Sequence, residues 1–340
     1  MKILEYQGPW KMTIEEAPIP EPAPDEVLLK TIAVGICGSD VHGFTGESGR
    51  RKPGVVMGHE AVGEIVSLGS GITSLKIGQR VATIPWLSCG HCKTCMKGLE
   101  HICPDKKHIG VNAGRWGAMA EYYIANVRQA FPISDSIDPD LGLFAEPLGV
   151  ATHALNLMNP APGDVTAIVG SGTIGLALTV ALRDRGLTSI YILDKIDEKL
   201  AQAKRFGALP INIDKEAAAD VIERETGNSR VPCVFEAVGG AATVRTAYDL
   251  CDFGGRVVLL GNLAKEFTLP LQGVISNEIT LRGSGGFTRD DFGKAIEMVE
   301  RNPDLVKEFV SGYCTLEETP EVMTALAKGE RQAIKIIIKP

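Results

Sequence analysis

A two-part α/β protein is predicted: a β-rich first region, then a doubly wound parallel sheet, then a late return to the first region. Three observations predict it. The chain has 340 residues, more than the roughly 250 at which a single core stops growing. Its first 150 residues hold short apolar runs punctuated by Gly and Pro, with little helical periodicity. After Pro162-Gly163, Val/Ile/Leu runs alternate with helical patterns, as in strands buried on both faces.

In the first region, strands are expected at 27–34, 64–68, 80–83 and 120–124, where apolar residues alternate or cluster between turn residues. The stretch PIPEPAP, from Pro18 to Pro24, is a stiff extended connector, because each proline fixes φ and biases its predecessor away from helix. In the second region, strands are expected at 165–169, 189–193, 209–212, 231–236, 257–260 and 279–281. Helices are expected at 174–185, 197–206, 217–225 and 241–250, with Gly186, Gly207 and Gly227 suited to left-handed positions after helix ends. A helix is expected at 290–300, and the final run at 334–338, too apolar for a solvated tail, is expected to rejoin the first sheet. The expected domains are therefore 1–150 with 287–340, and 151–286.

Composition narrows the function. With 44% hydrophobic and 23% charged residues, the chain has the make-up of an ordinary globular protein. Its net charge of −7 is spread over interspersed acids and bases, with no basic stripe to displace counterions from a nucleic acid. No apolar run approaches ~18 residues and the N-terminus carries no secretory pattern, so a cytoplasmic protein away from membranes is expected. Of eight cysteines, four crowd together and four are isolated; such spacing reads as a metal site, not a disulfide framework.

Directly after the first strand of the second region comes Gly170-Ser-Gly172-Thr-Ile-Gly175, opening a helix, with Asp194 nineteen positions beyond Gly175. Gly170 permits the tight turn, Gly172 lets the backbone approach a pyrophosphate, and Gly175 lets helix and strand pack closely. The helix N-terminus supplies unpaired N–H groups. Asp194 would accept hydrogen bonds from the adenosine ribose and repel a 2′-phosphate, which favours NAD over NADP; Lys195, next to it, pulls the other way.

Cys89, Cys92, Cys95 and Cys103 offer four thiolates within fifteen residues, enough to close one tetrahedral Zn²⁺ site in a lobe at about 86–105. His91 and His101 within it are expected to be solvated bystanders. A second, dispersed set comprises Cys37 in the stretch Gly35-Ile-Cys37-Gly-Ser39-Asp40-Val-His42, His59 and Glu60 in Gly58-His59-Glu60, and Glu146 in Phe144-Ala-Glu146-Pro147. Together they form a plausible catalytic zinc site with three protein ligands and one open position. Cys233, Cys251 and Cys314 read as core or surface thiols, and His108 and His153 as structural.

These residues resemble the zinc-containing medium-chain dehydrogenases/reductases, within the sorbitol and threonine dehydrogenase branch. Gly58-His59-Glu60-Ala-Val-Gly63, the four-cysteine lobe and the coenzyme motif occur in that family's order and spacing. The resemblance implies a GroES-like catalytic domain, a Rossmann domain and two zinc ions per chain, with assembly as a homodimer or homotetramer. It implies a catalytic zinc held by Cys37, His59 and Glu60, with Glu146 where classical alcohol dehydrogenases carry a second cysteine, bound either to zinc or to its water. Ser39 would take the substrate's proton and His42 pass it to solvent. Thr173 and Ile174 would flank the pyrophosphate, Lys199 the adenosine, and Val238 and Gly261 the nicotinamide half. The activity implied is hydride transfer from a secondary alcohol of a polyol or related hydroxy metabolite to NAD, with zinc as Lewis acid.

Two stretches depart from the branch. Gly283-Ser-Gly-Gly286-Phe-Thr-Arg289 lacks the arginine that often follows the last coenzyme-domain strand. Gly114-Arg115-Trp116-Gly-Ala-Met119 replaces the relatives' Asp-Gly-Gly-Phe. Arg115, Trp116 and Phe287 become candidates for a substrate pocket, and sorbitol itself is not assigned. An NADPH-dependent ketone reductase and a non-catalytic structural or regulatory relative are the alternatives; the second would have lost its catalytic ligands, and all are present.

Overall fold

The computed structural model describes residues 1–112 and 116–340. They form two compact units, Met1–Glu146 with Thr288–Pro340, and Pro147–Phe287. The first boundary falls inside the helix Ala145–Met158, which the sequence pattern did not reveal. Pro147 sits in its first turn, where proline is tolerated, and Gly149 follows, so the helix begins with residues that ordinarily read as a break.

The main sheet of the first unit runs in the order Ala130–Pro132, Arg80–Thr83, Glu60–Leu68, Glu26–Gly35, Lys335–Lys339, Val310–Thr315. Tyr122–Asn126 also pairs with Glu26–Gly35, covering its first half. Register shifts at Leu28/Leu29 and Thr31/Ala33 bend this long strand, so its far end pairs instead with the C-terminal strand, Val34 with Ile338 and Gly35 with Ile337. The closing run thus joins the first sheet, as expected. Leu29, Val34, Ile65, Val81, Tyr123 and Ile336 fill the core beneath. The sequence pattern missed Lys2–Gly8 and Lys11–Glu16, which make a small sheet with Val55–Val56.

The second unit is a six-stranded parallel sheet ordered Leu209–Asn212, Ile190–Asp194, Thr166–Val169, Val231–Glu236, Cys251–Leu259, Thr280–Gly283. Strand order reverses between Thr166–Val169 and Val231–Glu236, the place where such sheets bind ligands. The four expected helices are Thr173–Asp184, Asp197–Arg205, Ala218–Thr226 and Ala241–Leu250. The fifth strand starts six residues earlier than its apolar run; Gly254, at φ +69°, lies within it and disguises its start. No helix of the described residues is long and apolar enough to cross a membrane.

Candidate active site

The four lobe cysteines converge. Their sulfurs lie 3.9 Å apart for Cys89–Cys95, 3.5 Å for Cys92–Cys95, 3.8 Å for Cys92–Cys103 and 3.6 Å for Cys103–Cys89. Tetrahedral Zn–S bonds of about 2.3 Å require S···S separations of roughly 3.8 Å, so the cradle fits zinc. The backbone N–H of Cys95, 3.5 Å from the Cys92 sulfur, brings that thiol down to about 7. His91 is exposed, but His101 is only 4% exposed, correcting its expected solvation. It lines a cavity of about 240 Å³ with Trp86, Glu100 and Arg289.

The dispersed set also converges. Cys37 follows the strand Glu26–Gly35 and caps the helix Gly38–Phe44. His59 follows Gly58, whose φ of +92° and close approach to the Met119 backbone leave no room for a side chain. Glu60 opens its strand opposite Gly35, where a Cβ would fall 2.6 Å from Glu60 Oε2; glycine there makes space for the carboxylate. One ligand atom each from Cys37, His59 and Glu60 lies within 4.8 Å of the others. Glu146, in the first turn of Ala145–Met158, stands outside that group. Burial pushes its carboxyl up to about 7, with Glu60 and Asp40 adding to the rise and His59 and Lys335 opposing it.

Around this set stand Asp40 and Lys335, to which the sequence assigned no role, and His108, which it reads as structural. Asp40, fully buried, accepts from the Cys37 N–H at 3.3 Å and from Arg51 at 2.9 Å, and lies 3.4 Å from His59 Nδ1. Burial disfavours its charge, but His59 and Arg51 overcome this and hold the carboxyl below the usual range. A carboxylate behind an imidazole fixes the ring and makes it a better metal donor. Lys335, 2% exposed, places Nζ 2.7 Å from Glu60 Oε2 and 2.8 Å from Oε1, and donates to the Ile36 carbonyl. His108 sets its ring 5.7 Å from that of His59, edge to face. Burial, with the His59 charge adding, pushes it down to about 3.

Ser39 and His42 both lie on Gly38–Phe44; Ser39 is exposed and His42 Nδ1 is 2.8 Å from Glu47. Trp116 packs against the first unit's core and lines a cavity of about 410 Å³ with Lys107, Tyr122 and Tyr123. Phe287 is 1% exposed and its ring fills the space beside Gly149, so it packs the second unit's interior. Arg115 lies outside the described residues. Cys233, Cys251 and Cys314 are buried core thiols, and His153 is buried too.

In the second unit, Gly170 turns at φ +104°, and a Cβ there would lie 2.5 Å from Val238, across the point of strand reversal. A Cβ on Gly175 would lie 1.9 Å from the Gly170 carbonyl, whereas one on Gly172 would meet nothing within 4 Å. Gly172 therefore leaves the mouth of the turn open at the N-terminus of Thr173–Asp184, where Thr173 and Ile174 follow. A Cβ on Gly261 would lie 1.9 Å from the Gly239 N, bringing that strand end against Val238-Gly239. Asp194 accepts from the Ser171 N–H and hydroxyl and from the N–H groups of Lys195 and Ile196. Burial opposes its ionisation, but these donors hold it below its ordinary range. Lys199 is half-buried on the helix that follows.

Residues 23–135 match the family model for the alcohol dehydrogenase GroES-like domain, and residues 173–301 that for the zinc-binding dehydrogenase domain. The chain is 31% identical to sorbitol dehydrogenase from Bacillus subtilis, covering 100% of this chain and 97% of that protein. It is 33% identical to L-threonine 3-dehydrogenase from Stenotrophomonas maltophilia, covering 82% of each. A solved structure from Sinorhizobium meliloti, designated a zinc-binding dehydrogenase and bound to NADP, superposes with a TM-score of 0.91 at 29% identity, over 100% of this chain and 99% of that one. A GroES-like unit joined to a Rossmann unit, with a cysteine cradle for zinc, defines a zinc-type alcohol dehydrogenase. The chain belongs to the zinc-containing medium-chain dehydrogenase/reductase family, in the branch of the sorbitol and threonine dehydrogenases.

Proposed function

We propose that this protein is a zinc-dependent dehydrogenase transferring a hydride between a secondary hydroxyl of a polyol, sugar alcohol or related hydroxy metabolite and NAD. The observation that carries the reading is the approach of Cys37, His59 and Glu60 ligand atoms to within 4.8 Å, a three-residue set that leaves one metal position open. Cys37, His59 and Glu60 hold the ion, and Glu146 stands beside it. Zinc there supplies Lewis acidity that lowers the pKa of a substrate hydroxyl. Asp40 fixes the His59 ring. Ser39 takes the substrate's proton and His42 hands it to solvent.

Gly170, Gly172, Thr173, Ile174 and Gly175 receive the pyrophosphate, Asp194 the ribose hydroxyls and Lys199 the adenosine. Val238 and Gly261 would flank the nicotinamide, whose ring would supply the hydride acceptor. A similar structure bound to NADP favours a second reading, NADPH-dependent ketone reduction, which keeps the same residues and changes the coenzyme. The protein acts in the cytoplasm as a homodimer or homotetramer. Exposed Met96, Leu99 and Ile102 on the lobe, and Phe253, Leu271 and Ile275 in the second unit, support association.

The test is initial-rate NADH and NADPH formation across polyols, phosphorylated polyols, aldonates, threonine and simple diols, with zinc counted per chain. Two zinc ions and chelator-sensitive NADH formation on one group are expected. One zinc and no turnover would overturn the reading.

A further inference from the structure

His108 closes the base of the cysteine lobe, paired with Trp86 across a short antiparallel ladder. Its backbone N–H donates to Asn112 Oδ1 at 2.5 Å, which fixes the residue's place. Its Nδ1 lies 3.1 Å from the Ile109 carbonyl. A carbonyl oxygen only accepts, so Nδ1 carries the proton and, in the neutral ring, Nε2 carries the lone pair. Among the described residues, no partner contacts Nε2. The ring itself stands edge to face with His59, 5.7 Å between centroids, and Asp40 occupies the Nδ1 side of His59. A bare acceptor thus stands one ring away from the His59 imidazole, and no hydrogen bond among the described residues uses it.

We propose that His108 is a specificity-determining residue whose Nε2 accepts a hydrogen bond from a second substrate hydroxyl, on a carbon adjacent to the one oxidised. This rests on the dehydrogenase reading above. A hydroxyl at that distance from the reacting one is what separates a vicinal diol or polyol from a simple secondary alcohol. A site that bonds a hydroxyl discriminates against the analogue lacking it, which forfeits that hydrogen bond.

The test compares kcat/KM for 2,3-butanediol and 2-butanol, matched in length and differing by one hydroxyl, in the wild type, His108→Leu and His108→Asn. His108→Leu is expected to lower the diol-to-monool ratio at least tenfold, with 2-butanol turnover within about threefold of wild type, about one neutral hydrogen bond's worth. His108→Asn, whose Oδ1 accepts, should recover part of the ratio. Zinc per chain, measured by atomic emission, should match wild type in both. An unchanged ratio overturns the inference alone. An equal loss on both substrates, or loss of zinc, assigns His108 to supporting His59 and also overturns it. A wild type that oxidises neither alcohol nor any member of the wider panel overturns the dehydrogenase reading, and this one with it.

Discussion

Replacing Lys335 by methionine removes one partner of a pair in which both side chains are about 1% exposed. The lost Coulomb energy is not the main effect. Methionine leaves without its ion-pair partner a carboxylate packed so closely around Gly35 that a Cβ there would fall 2.6 Å from it. Breaking a buried pair on one side costs about 3–5 kcal/mol. In a unit of about 200 residues each kcal/mol moves Tm by roughly 2–4 °C, so the first unit's transition should fall by roughly 6–20 °C. Differential scanning calorimetry of the protein prepared without metal at the Cys37, His59 and Glu60 set reads this directly. Lys335→Met with Glu60→Gln removes both charges, and should melt closer to wild type than Lys335→Met alone. A drop under about 2 °C in the single variant, or a double variant no better than it, would refute the claim that the two charges depend on each other.

Two further outcomes follow from the geometry. Cys95→Ser breaks a cradle whose four sulfurs already stand at zinc spacing; zinc should fall by one per chain, and limited proteolysis should open the lobe within 86–105, while unchanged zinc would show that the cradle holds none. Asp194→Ser removes the carboxylate proposed to repel a 2′-phosphate and frees the N–H groups of Ser171, Lys195 and Ile196. The NADP-to-NAD ratio of kcat/KM should rise by roughly 10–100-fold, the worth of a hydrogen bond between the ribose hydroxyl and a charged carboxylate, and an unmoved ratio would mean that coenzyme choice is made elsewhere.

The parts legible in the sequence were those whose chemistry is local. The coenzyme turn needs its glycines in one short stretch, and each of the three answers to a different steric demand: Val238 across from Gly170, the Gly170 carbonyl against Gly175, and open space at Gly172. Four cysteines within fifteen residues announce a metal for the same reason. The apolar runs of the parallel sheet were readable because burial on both faces leaves strands with no polar alternation to confuse. The helix Ala145–Met158 was hidden because proline and glycine near its start carry the opposite message in most contexts.

What the sequence could not show was closure over distance. Lys335 and Glu60 are 275 residues apart and meet only because the final strand pairs with the far end of Glu26–Gly35. A signal existed: the apolar closing run contains Lys335, the one lysine among the strand's four buried residues, and a buried lysine demands a partner. The partner's identity was not encoded nearby. Asp40 was quoted within its motif, yet its value lies in Arg51 and His59 on either side, again a matter of folding. The proposed metal ligands are thus legible as residue types, whereas the charges beside them, Lys335 at Glu60 and the Asp40–Arg51 pair at His59, come together only in the fold. If the proposed role of His108 holds, that division predicts where relatives of the same fold will differ in substrate: at positions such as His108, set beside His59 by a lobe whose own cysteines say nothing about the substrate.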